Sequence, residues 1–279
     1  GIQSAYDCIW EWKTRIYFAN NPNASSYLKN YKLEQVKSVI QKWLDSEGTY
    51  LPLDHPDEYS FYVEKCYPIA DDRRSYFQQI CEKKEPSIGY KLICLLAEAG
   101  IIQSVWTTNF DGLTIRTGHI TNTTVIDISL DSVDRIFRAV NKNELLHVGL
   151  HGDYKYGELK NTEIELQQQD NTFRERLINY LIDKHLIVIG YSGRDNSLMT
   201  ALTQVYSEKG AGRLYWCGFG SRLHPSVENL IRTAKSNNRT AFFISSDGFD
   251  DTMVSISRML LKDDDNLFGK IENLQSSHK

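Results

Sequence analysis

Residues 104–113 read Ser-Val-Trp-Thr-Thr-Asn-Phe-Asp-Gly-Leu. A short run of β-branched and aromatic side chains passes directly into Asn-x-Asp-Gly, a turn-forming sequence, so the stretch predicts a strand that ends in a polar loop. Five more short apolar runs share this build, at 125–128, 145–150, 186–190, 214–218 and 241–244. Helical patterns accompany them, near 131–140, 161–183, 197–208, 226–235 and 250–261. Phe173, Leu177, Ile178, Leu181 and Ile182 mark one helical face. Strands alternating with helices predict an α/β fold, a Rossmann-like mainly parallel sheet covered on both faces.

Outward from this core, the first hundred residues read as helical. Ser4 followed by Asp7 forms a capping box with Asp in place of Glu, and Ile9, Trp10, Trp12, Ile16 and Tyr17 supply an apolar face. Leu33, Val36, Ile40 and Leu44 repeat at helical spacing. Residues 45–57 are turn-rich, and 76–82 and 89–99 are further helices, the latter stopped by Gly100. The division expected is one domain over 1–261, with a helical portion to about residue 100 and a strand–helix core after it, and a polar linker or frayed end over 262–279.

Composition narrows the class. Hydrophobic residues make up 41% of the 279 and charged residues 24%, enough apolar material for a packed core and against wholesale disorder. Lys plus Arg is 32 and Asp plus Glu 36, a net charge of −4, so no bulk basic surface for nucleic acid exists. No run approaches the ~18 apolar residues of a membrane span. Glu11, Lys13 and Arg15 within the first apolar stretch argue against a signal peptide. The five cysteines, Cys8, Cys66, Cys81, Cys94 and Cys217, include no C-x-x-C pair, which speaks against a zinc ribbon or a disulfide framework and fits a reduced, cytoplasmic protein without a metal.

In a parallel sheet, ligands collect at the carboxyl ends of the strands. The candidate strands leave through Thr107-Thr108-Asn109-Phe110-Asp111-Gly112, His151-Gly152-Asp153-Tyr154, Gly190-Tyr191-Ser192-Gly193-Arg194-Asp195 and Cys217-Gly218-Phe219-Gly220. The first three pair glycine with side chains that hydrogen-bond or titrate. His147 falls on the same strand face as Gly149 and His151, in the core or behind the site. Taken singly, Asn-x-Asp-Gly is also good turn chemistry, and Asp195 is also a good helix cap.

T-T-N-F-D-G-L, L-H-G-D-Y and G-Y-S-G-R-D, in this order, resemble the sirtuin-like domains of bacterial defence systems, closest to the sirtuin-like subunit that accompanies short prokaryotic Argonautes through an attached docking region. Gly1-Ile2-Gln3-Ser4-Ala5 resembles the segment that comes after the family's glycine-rich first turn, and Gly248-Phe249-Asp250-Asp251 also fits. The resemblance implies an NAD-binding sheet with a helical insertion. It implies Asn109, Asp111 and His151 as catalytic residues, with His151 the general base, and Ser4, Thr108, Gly190, Ser192 and Asp195 on the cofactor side. Position 108 is Thr where peptide deacetylases of the family carry Gln, and their paired C-x-x-C zinc module is missing. The activity that the resemblance implies is that of an NAD-hydrolysing effector. Such an effector depletes NAD when a short Argonaute with guide and target nucleic acid activates it, working as an oligomer and away from membranes. A non-catalytic module binding NAD or ADP-ribose and a protein deacylase are the alternatives.

Overall fold

The structure, a computed structural model, describes residues 3–55, 57–82, 84–109, 111–128, 130–150, 170–220 and 223–277. They fall into two compact units, residues 3–82 and residues 84–277.

The first unit is helical. Helix α1 (Ala5–Asn20) starts at the expected capping box: Ser4 Oγ accepts from the Asp7 amide at 3.1 Å and donates to Asp7 Oδ2 at 2.7 Å. Helix α2 (Glu34–Glu47) buries Val36, Ile40 and Leu44 completely and stops at Gly48, whose φ of 65° suits glycine. Helices α3 (Glu58–Cys66) and α4 (Ala70–Glu82) complete the unit. Its centre is aromatic, with Trp12 fully buried among Tyr59, Tyr76 and Phe77. Lys13 is also fully buried. Its ammonium donates to Gln41 Oε1 at 2.8 Å, pairs with Glu58 Oε1, and lies 4.7 Å from the Trp10 ring and 5.0 Å from that of Tyr62.

The second unit opens with helix α5 (Ile88–Glu98), and Gly100, at a φ of 75°, ends it as the sequence predicts. Strands β1 (Ser104–Thr107), β2 (Thr124–Ile128) and β3 (Glu144–Gly149) form a parallel sheet in the order β1-β3-β2. Strands β4 (Leu186–Ile189), β5 (Leu214–Phe219) and β6 (Ala241–Ser246) form a second parallel sheet in the order β4-β5-β6. The crossovers are helix α6 (Leu113–Thr121), a 3-10 helix (Leu130–Phe137), helix α7 (Asp170–Leu181), helix α8 (Asn196–Ser207) and helix α9 (Pro225–Ser236). Helices α10 (Phe249–Leu260) and α11 (Asp265–Ser276) come after β6.

All six predicted strands are present, and the fold is the parallel α/β arrangement expected. The expected single sheet comes as two three-stranded blocks, and both blocks feed the same apolar clusters. Leu146 and Val148 of β3 join Leu214 and Trp216 of β5 in one cluster. Leu145 of β3 lies in the other, against which Val105 of β1 and Ile189 of β4 pack. Alternation along β3 thus sends its side chains to two helical layers. The stretch from 262 onward, read as a polar linker, instead forms α11, which buries Leu267 and Ile271 in the second cluster. Its polar residues occupy the outward face, and Asp264 caps it at the Leu267 amide, 3.0 Å away.

The amino ends of β4, β5 and β6 are tied by one side chain. The buried Arg239 guanidinium donates to the carbonyls of Ile182 (2.8 Å), Gly212 (2.9 Å), Glu208 (2.9 Å) and Val205 (3.1 Å) and stacks over Tyr206.

Candidate functional site

The exit of β1 is built by short-range bonds. The Asn109 amide donates to Thr107 Oγ1 at 3.0 Å, which leaves the Asn109 side chain exposed at the strand tip and Thr108 half-buried beside it. Gly112 takes a φ of 59°, and the Asp111 carboxylate turns back to accept from the Leu113 amide at 2.9 Å, starting α6. Asp111 is only 6% exposed. Leu150, at the neighbouring exit of β3, donates its amide to the Thr107 carbonyl at 2.8 Å. His151 lies outside the described residues.

Tyr90, in the first turn of α5, meets this exit. Its hydroxyl donates to Asp111 Oδ2 at 3.4 Å, and the Asn109 side chain reaches the same hydroxyl. Burial, reinforced by the Asp111 charge, pushes the Tyr90 hydroxyl well up, so it stays protonated and remains a donor. Burial also raises the Asp111 carboxyl above the ordinary Asp value. The Leu113 amide, the Tyr90 hydroxyl, His147 and Arg116 pull it back down. His147, on central strand β3, is buried and shares a 2.8 Å hydrogen bond between Nδ1 and Asp127 Oδ1 of β2. The register places Asp127 directly beside His147.

The start of α10 holds Tyr90 from the other side. Asp250 Oδ1 accepts from Ser87 Oγ at 2.6 Å and from the Gly89 amide at 2.9 Å, and the Phe249 ring lies 5.1 Å from that of Tyr90. A Cβ on Gly89 would sit 2.5 Å from the Phe249 ring and 2.7 Å from the Asp250 carboxylate, so no side chain fits there.

The other exits present backbone. Gly190 after β4, Gly220 after β5 and Gly248 before α10 have φ of 71°, 70° and 140°, and a Cβ on any of them would meet nothing within 4 Å. Three glycines of positive φ at these strand ends thus leave backbone that a ligand's polar groups could approach closely. Ser192 is exposed beside Gly190. Asp195 accepts from the Ser197 amide at 2.9 Å and from the Leu198 amide at 3.1 Å, capping α8.

The structure therefore brings Asn109 and Asp111 together and puts Gly190, Ser192 and Asp195 in one loop. Ser4 caps α1 in the helical unit. Sequence reading missed Tyr90. A signal existed: α5 is joined to β1 by a short turn after Gly100, so its first turn must return to the carboxyl end of β1. An 11-residue helix spans about 16 Å at 1.5 Å per residue, close to the length of a four-residue strand and its exit.

A parallel α/β sheet with a polar, glycine-lined carboxyl rim is the build of a nucleotide-binding domain. The SIR2-like domain family matches residues 103–242, half of the chain, and the chain belongs to that family. Comparison with curated proteins found no match. SIR2-like domains are often NAD-dependent enzymes, and NAD involvement follows from membership. The exposed Asn109, the buried carboxylate and the three open glycines fit such a ligand. Among the described residues, no three His, Cys, Asp or Glu side chains cluster as a metal site, and no helix is long and apolar enough to cross a membrane. All five cysteines are free thiols, and burial pushes Cys8 up to about 12 and Cys66 to about 11, which leaves no reactive thiolate there near neutral pH.

Proposed function

We propose that this chain is an NAD glycohydrolase that cleaves the nicotinamide–ribose bond. The observation that supports it is the meeting of Asn109 and Asp111 at the carboxyl rim of a SIR2-like sheet. Cleavage at a sugar carbon passes through an oxocarbenium-like state, and a pyridinium leaves without acid assistance. The chain must orient the sugar, favour positive charge on it and supply a nucleophile. Asn109 carries both a donor and an acceptor and orients a ribose hydroxyl or a water. Asp111 contributes negative potential and accepts from the carboxamide N–H groups. His151 takes the proton from the attacking hydroxyl, an imidazole being suited to general-base work near neutral pH. Gly190 and Ser192 hold the adenosine side, and Thr108 and Asp195 contact the cofactor, as the resemblance implies.

Nicotinamide release from NAD tests the assignment. His151→Ala and Asn109→Ala should each lower turnover by about 10²- to 10⁴-fold with an unchanged melting temperature. Wild-type turnover in both variants would reject it. Tight NAD binding without turnover under activation would instead mark a binding module, and lysine deacylation coupled to nicotinamide release a deacylase.

The defence role belongs to the same proposal and draws on the motif resemblance: the active species is a cytoplasmic oligomer switched on by a short Argonaute loaded with guide and target nucleic acid. Co-expression with such an Argonaute should yield a complex whose NAD turnover rises on target addition. Failure to associate would remove that partner.

A further inference from the structure

Asp111 cannot hold its own geometry. It is one carboxylate in a buried setting, with one oxygen committed to the Leu113 amide and the other facing the Tyr90 hydroxyl. The contact to Tyr90 is long, at 3.4 Å, for an O–H···O bond that usually lies at 2.5–3.0 Å. Such a bond has room to shorten when charge develops beside it. The start of α5 is in turn fixed by three contacts from the chain's last third: Asp250 accepts from the Gly89 amide and the Ser87 hydroxyl, and the Phe249 ring packs edge-on against the Tyr90 ring. Ser87 offers α5 no cap of its own, so the carboxylate of Asp250 does that work from α10.

We propose that Tyr90 is a positioning residue for Asp111: its hydroxyl orients the carboxylate, and the Phe249–Asp250 start of α10 sets where that hydroxyl sits. The kinetic consequence rests on the NAD-cleaving function proposed above; the effect on the carboxyl itself does not. The groups facing Asp111 are Tyr90 from α5, Arg116 from α6 and His147 from β3. Behind them, Asp127 of β2 pairs with His147, and Asp250 of α10 bears on Tyr90. Tyr90 is the neutral donor in this set. Removing its hydroxyl takes away one support of the ionised form, and the carboxyl of Asp111 moves further up.

The test titrates Asp111 directly in the full chain carrying ¹³C-carboxyl aspartate, with the resonance assigned by its loss in Asp111→Asn. In Tyr90→Phe it should titrate about half a unit to one unit higher than in wild type. Asp250→Ala, which keeps the hydroxyl but frees α5, should move it the same way by less. Nicotinamide release by Tyr90→Phe should fall about 5- to 10-fold in kcat with little change in KM. An Asp111 titration in Tyr90→Phe within about 0.2 unit of wild type overturns the proposal. If wild type, activated by the partner proposed above, releases no nicotinamide, the NAD-cleaving reading falls while the carboxyl titration still decides the role of Tyr90.

Discussion

Each unit buries an ionisable side chain, and the surroundings differ. Lys13 in the helical unit has a carboxylate, an amide oxygen and two ring faces on its ammonium. Its partner Glu58 also accepts from the Asp54 amide at 3.1 Å. Asp111 in the sheet unit has one good backbone donor and one distant hydroxyl. A buried charge whose bonds are all made by the protein fixes packing. One whose bonds are incompletely made keeps capacity for a ligand, at some cost in stability.

The sharpest way to break this comparison lies at Lys13. Lys13→Ala strands Glu58 without its cation and should destabilise the protein by about 3–5 kcal/mol in urea denaturation. Lys13→Met combined with Glu58→Gln removes both charges and should restore more than half of that loss. A single variant costing under about 1 kcal/mol would mean that the pair is not structural. An intermediate effect is expected at Asp195, whose carboxylate satisfies two amides of α8. Asp195→Ala should cost about 1 kcal/mol in thermal denaturation, and Asp195→Asn almost nothing, because both side chains cap well.

The smallest effect is a slope. The Asp111 carboxyl is raised in the folded protein, mainly by burial, so the unfolded chain loses that proton first as pH rises. Stability therefore declines from about pH 4, the ordinary Asp value, until the raised native value is passed. Asp111→Asn should flatten that decline in urea midpoints, leave pH 7 stability equal or slightly higher, and abolish nicotinamide release. A steeper decline in the variant would show that Asp111 is held as firmly as Lys13.

Much of the sheet unit was legible because strand cores and their polar exits are local patterns. Residues 104–107 and 186–189 announce themselves by β-branched content, and Asn109, Asp111 and Gly190 by their place just beyond. Helix α6 was not legible: Leu-Thr-Ile-Arg-Thr-Gly-His-Ile-Thr is rich in residues of low helix propensity, and the fold imposes the helix through the crossover from β1 to β2. Helix α3 escaped for a similar reason, its Glu-Tyr-Ser-Phe-Tyr start coming after a turn-rich stretch. Tyr90 and the Asp250 cap are contacts across 21 and 161 positions, a separation no periodicity encodes. The Asp127–His147 pair needed the strand register, which sequence spacing alone does not set.

Arg239 gathers four carbonyls at the end of the second sheet opposite Gly190 and Gly220. The fastened rim and the rim of bare glycine backbone thus lie at opposite ends of the strands. Changes at Gly190, Gly220 and Gly248 therefore leave the fastened rim, and with it the register of the three strands, untouched.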